Sequence, residues 1–357
     1  MAAIEEDRSG SPASPGVEGP RNGEKIEVRV GSATFRLTPD AAAFLHASAA
    51  DNTRRAYAGD FAHFASWCNR SGCSSLPAAP DDIANYLAGL AVGHAADGTD
   101  ARATATIKRR VAAIRLAHKV AGHIDPTGHV VVERTLAGIV RTLGSLQDRA
   151  EPLTKQLLVR AVRALDGGGL AALRDRTLLL VGFAGAFRRS ELVGIATEDL
   201  TFSDAGVVIH VRRSKTDQRG RGQVKAIPHL DGSRLLCPAR SLADWCDRSG
   251  IVSGPVFRGL TRAGEVRGTA LHDGEVSRVV KRAVAAAGVD PPGFSGHSLR
   301  AGFVTTARAE GVPDHLVMSQ TGHSDPRSLA IYTRPDDLFV ANPLAWLHWG
   351  DPADESA

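Results

Sequence analysis

Apolar residues at helical spacing dominate this chain, and one polar, proline-bearing stretch interrupts them. That pattern confines the fold to two mainly helical parts. Tyr57, Phe61, Phe64 and Cys68 recur at intervals of three and four, which places them on one helix face. Asp51 or Asn52 precedes them as a cap. A second helix is expected over 81–90 behind Pro80, a third over 103–120 with Ile107, Val111 and Ile114 as its stripe, and a fourth over 135–146. Residues 41–147 thus read as an all-helical domain, and 147–152 as a linker. Beyond it, Thr154 caps a new helical run and 175–183 is a buried helix. Residues 207–211 and 224–228 read as strands of a hairpin around the polar, glycine-rich 215–222. Helices resume at 238–248, at 274–287 and from His297. The expected class is mainly α with a small β-sheet: a helical N-terminal domain, then an α+β domain over 148–334.

The ends carry different signals. Residues 1–24 are rich in Gly, Pro, Ser and Glu and are expected to be disordered. Ile26, Val28 and Val30, then Ala33, Phe35 and Leu37, alternate on either side of Gly31–Ser32. This is a small hairpin or an extended arm, so 1–40 reads as an N-terminal arm. Residues 335–357 hold Leu338, Phe339, Leu344, Trp346, Leu347 and Trp349, an apolar tail that needs a surface to pack on.

A length of 357 residues suits two domains. The formal charge of +4 is only a mild pull toward an anionic partner. Most of the cations are Arg, the better phosphate fork, although a GC-rich genome accounts for the same excess. Cys68, Cys73, Cys237 and Cys246 form no CxxC pair and no zinc spacing; they read as buried thiols of a reducing cytosol. The apolar run 178–187 is too short to span a bilayer, and no secretory signal is evident. A cytoplasmic protein without membrane contact is expected.

The chemistry gathers late in the chain. His297 and Arg300 lie three apart on one helix face. His323 follows at a turn, and Tyr332 comes nine residues after it. Earlier, Arg188 follows the buried helix, and Glu191 stands three residues on, placed to buttress it. Two Arg forks can neutralise the non-bridging oxygens of an attacked phosphodiester without a metal. A phenol with a pKa near ~10 needs a base to attack, and His297 can be that base. Lys215 can protonate the departing 5′ oxygen, and His323 can donate to the phosphate. No paired carboxylates suit two magnesium ions, and no GxxxxGKS/T loop implies ATP; no cofactor is expected.

The ordered segments GAFRRSEL, SKTD, HSLR, TGHSD and IYTR resemble the Arg, Lys, His-x-x-Arg, His, Tyr signature of the tyrosine recombinase, or phage integrase, family. The resemblance is dense over 150–334 and looser over 41–147, the family's helical core-binding domain. It implies Arg188, Lys215, His297, Arg300 and His323 as catalytic residues, Glu191 as support, and Tyr332 as the nucleophile of a 3′-phosphotyrosyl intermediate. It also implies double-stranded DNA with paired sites as partner, and a homotetramer whose protomers exchange C-terminal segments. Arg189 rivals Arg188, and Lys225 on the opposing strand rivals Lys215. A type IB topoisomerase that swivels one strand, or a catalytically silent DNA-binding relative, are the alternatives. For DNA contacts, Lys108, Arg115 and Lys119 share a face of the third helix, Arg278, Lys281 and Arg282 share a face of 274–287, and Arg54 starts the first helix.

Overall fold

The structure is a computed structural model, and it describes residues 25–30, 33–47, 51–93, 103–144, 150–165, 168–212, 222–323 and 325. Its contacts group into two units, Met1–Asp148 and Arg149–Ala357. Lys215, Tyr332 and the tail 335–357 lie outside the described residues, as do residues 1–24.

In the first unit, β1 (Ile26–Val30) pairs antiparallel with β2 (Ala33–Leu37), Val28 opposite Phe35. Residues 26–30 and 33–37 therefore pair as strands, the hairpin reading rather than the extended arm. Among the described residues the helices α1 (Pro39–Ala47), α2 (Asp51–Ser71), α3 (Pro80–Val92), α4 (Thr104–Val120) and α5 (Val130–Leu143) follow. Of the stripes read from the sequence, that of α4 is buried whole, while in α2 Phe64 and Cys68 are buried and Tyr57 and Phe61 are half-buried. Phe64 and Cys68 of α2, Ile83, Leu87 and Leu90 of α3, Ile107, Val111 and Ile114 of α4, and Val132 and Ile139 of α5 form one core. Helix α5 starts at Val130 rather than 135, because His129 caps it. The His129 side chain accepts the Val131 N–H, and a 3₁₀ turn at Pro126–Gly128 sets the entry. Two arginines of α4 reach polar groups inside this unit: Asp60 accepts from Arg109 at 2.6 and 3.1 Å, and Arg110 donates to the Tyr86 hydroxyl at 3.1 Å.

The second unit is built of α6 (Lys155–Ala164), α7 (Leu170–Ala184), the short α8 (Arg189–Val193), strands β3 (Leu200–Ser203), β4 (Gly206–Val211) and β5 (Gln223–Pro228), α9 (Pro238–Ser249), strands β6 (Arg258–Leu260) and β7 (Val266–Ala270), then α10 (Asp273–Ala286), α11 (His297–Ala309) and α12 (Asp314–Thr321). The class is mostly helical with small antiparallel sheets, as the periodicity predicts. Strands β3, β6 and β7 went unread, since their residues are largely exposed or half-buried and carry no alternation.

Two features of this unit place the site. Helix α7 carries an almost continuous buried run, Leu178 to Val181, against Trp245 of α9 and Leu299 of α11. Its end is therefore a rigid platform for whatever follows it. The second feature is the strand register. Val207 faces Ile227 and Ile209 faces Lys225 across β4 and β5. With Val207, Ile209 and Ile227 buried, the same side of β5 carries Lys225 inward, while Val224 turns to solvent.

Candidate active site

Arg188 stands between α7 and α8 in an extended conformation. The Glu191 carboxylate accepts its backbone N–H at 2.9 Å and its Nη1 at 2.6 Å. One buried carboxylate thus fixes both ends of this arginine, an arrangement legible in the three-residue offset. Two residues earlier, Ala186 adopts φ 47, the left-handed region that L side chains rarely enter. Such a conformation costs about 1 kcal/mol or more and persists only where surroundings impose it. Here it turns the Ala186 carbonyl to accept Arg300 Nη1 at 2.8 Å.

Arg300 is almost wholly buried, 1% exposed. Its Nη2 donates to His323 Nε2 at 2.8 Å. Helix α11 holds it by a close approach: a Cβ on Gly302 would lie 1.9 Å from the Leu153 carbonyl oxygen. The Leu153 N–H in turn donates to Ser298 O at 2.9 Å. His297, at the head of α11, is exposed. The atoms packed around its ring, then the charges of Arg300 and Arg188, hold its pKa below the ordinary imidazole value. His323 follows Gly322, which ends α12 at φ 71. Burial first, then Arg300, Arg188, His297 and Lys225, push its pKa down to about 4. Both shifts favour the neutral imidazole. That suits a base at His297.

Lys225 is 1% exposed, with its ammonium over the Phe187 ring at 5.1 Å from the centroid. Its Nζ donates to the Gln320 carbonyl. That carbonyl belongs to the last turn of α12, where backbone acceptors lack partners within the helix. Gln223 caps the neighbouring Ser319 carbonyl at 2.9 Å, and the Gln320 side chain reaches Ala184 O at 2.7 Å. Strand β5 thus closes the end of α12 with a cation, the charge that a helix C-terminus favours. Burial above all brings the Lys225 pKa down to about 8; Glu191 opposes the shift, while Arg300 and Arg188 add to it.

A cation cluster braced by one carboxylate, with two imidazoles beside it, is a receptor for a phosphate diester. Comparison with known proteins identifies its owner. Residues 151–338 match the phage integrase family. The chain is 39% identical to the integrase/recombinase xerD homolog of Selenomonas ruminantium, covering 87% of this chain and 89% of that one. The chain belongs to the phage integrase family. It is 31% identical to the tyrosine recombinase XerD of Pseudomonas aeruginosa, over 82% of this chain and 89% of that one. Its fold is like that of a lambda integrase dimer bound to a COC′ core site, with a TM-score of 0.52 at 18% identity, covering 83% of this chain and 76% of that one. The protein is a site-specific tyrosine recombinase, an enzyme that breaks and rejoins DNA. Neither the strand-swivelling nor the silent alternative is favoured.

In this recombinase the fold brings Arg188, Glu191, His297, Arg300 and His323 together, from segments more than a hundred residues apart in sequence. Arg189, the rival of Arg188, pairs instead with Asp273 of α10 at 3.2 Å. Lys225, the rival of Lys215, is inside the cluster, engaged with a backbone carbonyl. Its inward placement had a signal: it is in phase with Ile227 along β5, although its charge argued against a core position.

The candidate DNA-contact residues are placed less uniformly. Lys108 and Lys119 are exposed on α4, and Arg54 is half-buried on α2. Arg115, on the same face as Lys108, pairs with Asp125 at 3.0 Å. On α10, Arg278 is exposed beside Glu275, and Lys281 is exposed. Arg282 pairs with Asp175 at 2.6 Å, and Asp175 also accepts from Arg174. Among the described residues no helix is long and apolar enough to cross a membrane.

Proposed function

We propose that this recombinase joins paired DNA sites through a covalent bond between Tyr332 and a 3′ phosphate. The observation that carries the reading is the clamp. Arg188 and Arg300 are both held rigid by acceptors, so they meet a phosphate with little reorganisation. Each such donor to developing charge is worth roughly 3–4 kcal/mol in the transition state. Tyr332 attacks phosphorus and the P–O5′ bond breaks. His297 takes the phenolic proton, and Lys215 supplies one to the leaving 5′ oxygen. His323 completes the phosphate's surroundings. A 5′ hydroxyl from the second strand then attacks the phosphotyrosine, releases the phenol and restores the diester, so the bond's energy is retained and no ATP is spent.

Arg54, Lys108, Arg115, Lys119, Arg278 and Arg282 are assigned to backbone contacts outside the site. Arg115 and Arg282 would exchange their present carboxylates for phosphates. Four protomers act on two sites, each lending its apolar tail 335–357 to a neighbour, in the cytoplasm where the DNA lies. A substrate nicked near the cleavage point tests the core of this reading. The short 5′ fragment diffuses away after cleavage, so wild-type protein accumulates as a covalent adduct, and Tyr332→Phe forms none. Adduct formation by Tyr332→Phe at the wild-type rate refutes the assignment.

A further inference from the structure

Helix α2 ends on a turn that brings two cysteines of the first unit together. Gly72 follows the helix at φ 70, in the left-handed region, and the Cys73 N–H donates to the Cys68 carbonyl at 3.0 Å. A left-handed glycine with a bond from the next residue back over the last turn is a Schellman ending. In that motif the two residues so joined also set their side chains against one another. Here both side chains are thiols. Cys68 is 0% exposed, Cys73 is half-buried, and both join the core that α2 shares with α3. Covalent geometry bounds their separation. A Cα lies about 2.4 Å from its own carbonyl oxygen and about 1.5 Å from its own nitrogen, so this bond leaves the two Cα atoms at most about 7 Å apart. A disulfide spans that range without backbone movement.

We propose that Cys68 and Cys73 are a thiol–disulfide exchange site, where a low-molecular-weight disulfide such as oxidised glutathione is reduced and the two sulfurs are joined across the end of α2. Cys73 is the entry, because it is the one of the pair with exposed surface. Its thiolate attacks one sulfur of the small disulfide, that S–S bond breaks, and the first small thiolate leaves and takes up a proton. Cys68 gives its proton to water and attacks the Cys73 sulfur, releasing the second small thiol. Two electrons pass from the protein sulfurs to the small disulfide, which ends as two thiols. Burial first, then the adjoining Cys73 thiol and the Asp82 carboxylate, push the Cys68 thiol up to about 12. Cys68 is therefore a poor nucleophile toward an outside reagent and reacts through its neighbour. In a reducing compartment the bond forms only while the thiol pool is oxidised.

Glutathione redox buffers applied to the full-length protein are the test, first folded and then unfolded in urea, each followed by acid quenching and a non-reducing tryptic digest. Trypsin cuts after Arg70, between the two cysteines, so the disulfide shows as two peptides held together until a reductant is added. Because the fold already sets the pair face to face, the folded protein should reach half oxidation at a ratio of oxidised to reduced glutathione at least about tenfold lower than the unfolded chain does. Cys68→Ser should stop at a mixed disulfide between Cys73 and glutathione, and Cys73→Ala should leave Cys68 unreacted in the folded state. Equal midpoints in the folded and unfolded states overturn the proposal. So does a wild-type Cys73 that ends as a lasting mixed disulfide or linked to a second chain.

Discussion

Replacing Lys225 by Met isolates what it costs this fold to bury a cation. Met keeps the length of the side chain and drops the charge. In the folded protein the lysine pKa is about 8, against 10.5 in water, mainly through burial. The shift of 2.5 (10.5 less 8) corresponds to about 3 kcal/mol, at 1.36 kcal/mol per pKa unit. The sign follows from proton counting. Between the two pKa values the unfolded chain binds the proton and the folded one does not, so stability rises with pH across that window. Below pH 8 the penalty stands at full size; toward pH 10.5 it disappears. At pH 7 the variant escapes the penalty but loses the charged bond to Gln320 O, worth roughly 1.5–3 kcal/mol, so the two proteins should be nearly equal in stability. By pH 10 wild type should have gained about 2.5 kcal/mol on the variant, the integral of that proton difference. Urea unfolding of both proteins at pH 7, 8, 9 and 10 reads this directly, because every other titration cancels in the difference. A difference that stays flat to within about 0.5 kcal/mol over this range refutes the argument, since it means that Lys225 ionises in the fold as it does in water.

Two other outcomes are expected. Lys215→Met should slow cleavage by about 10²-fold or more, yet cleave at near wild-type rate a substrate whose leaving 5′ oxygen is replaced by sulfur, because a thiolate departs without a proton. Lys225→Met should show no such selective rescue, and rescue of Lys225→Met alone would transfer the acid role to it. Gly302→Ala should lower stability by at least about 2 kcal/mol in urea unfolding, because the added methyl meets the Leu153 carbonyl oxygen at 1.9 Å; an unchanged midpoint would refute the close approach.

The helical stripes were legible because a helix repeats every 3.6 residues and hydrophobicity reports the face directly. Phe64, Ile107 and Ile114 are buried where the spacing put them. Helix ends were less legible. The expected Thr154 cap makes no side-chain bond, and α5 is started by His129, a residue whose capping shows only once the chain has turned. Strands β3, β6 and β7 escaped, since their residues are largely exposed or half-buried and no alternation marks them.

The Arg188–Glu191 buttress and the pairing of His297 with Arg300 follow from local spacing. Residues three apart on a helix or its first turn meet whatever the rest of the chain does. Their order along the sequence was enough to recognise a recombinase. Between Arg188 and Arg189 the offset to Glu191 favoured Arg188, but the contacts that hold each rival were not available there. That Arg188 rather than Arg189 turns inward depends on Asp273, a residue more than eighty positions away. That Lys225 lies in the cluster depends on the register of β4 against β5 and on a carbonyl at the end of α12. Local periodicity reports what each segment buries. Which polar atoms face one another across segments is settled only when the core closes and every buried donor must find its acceptor.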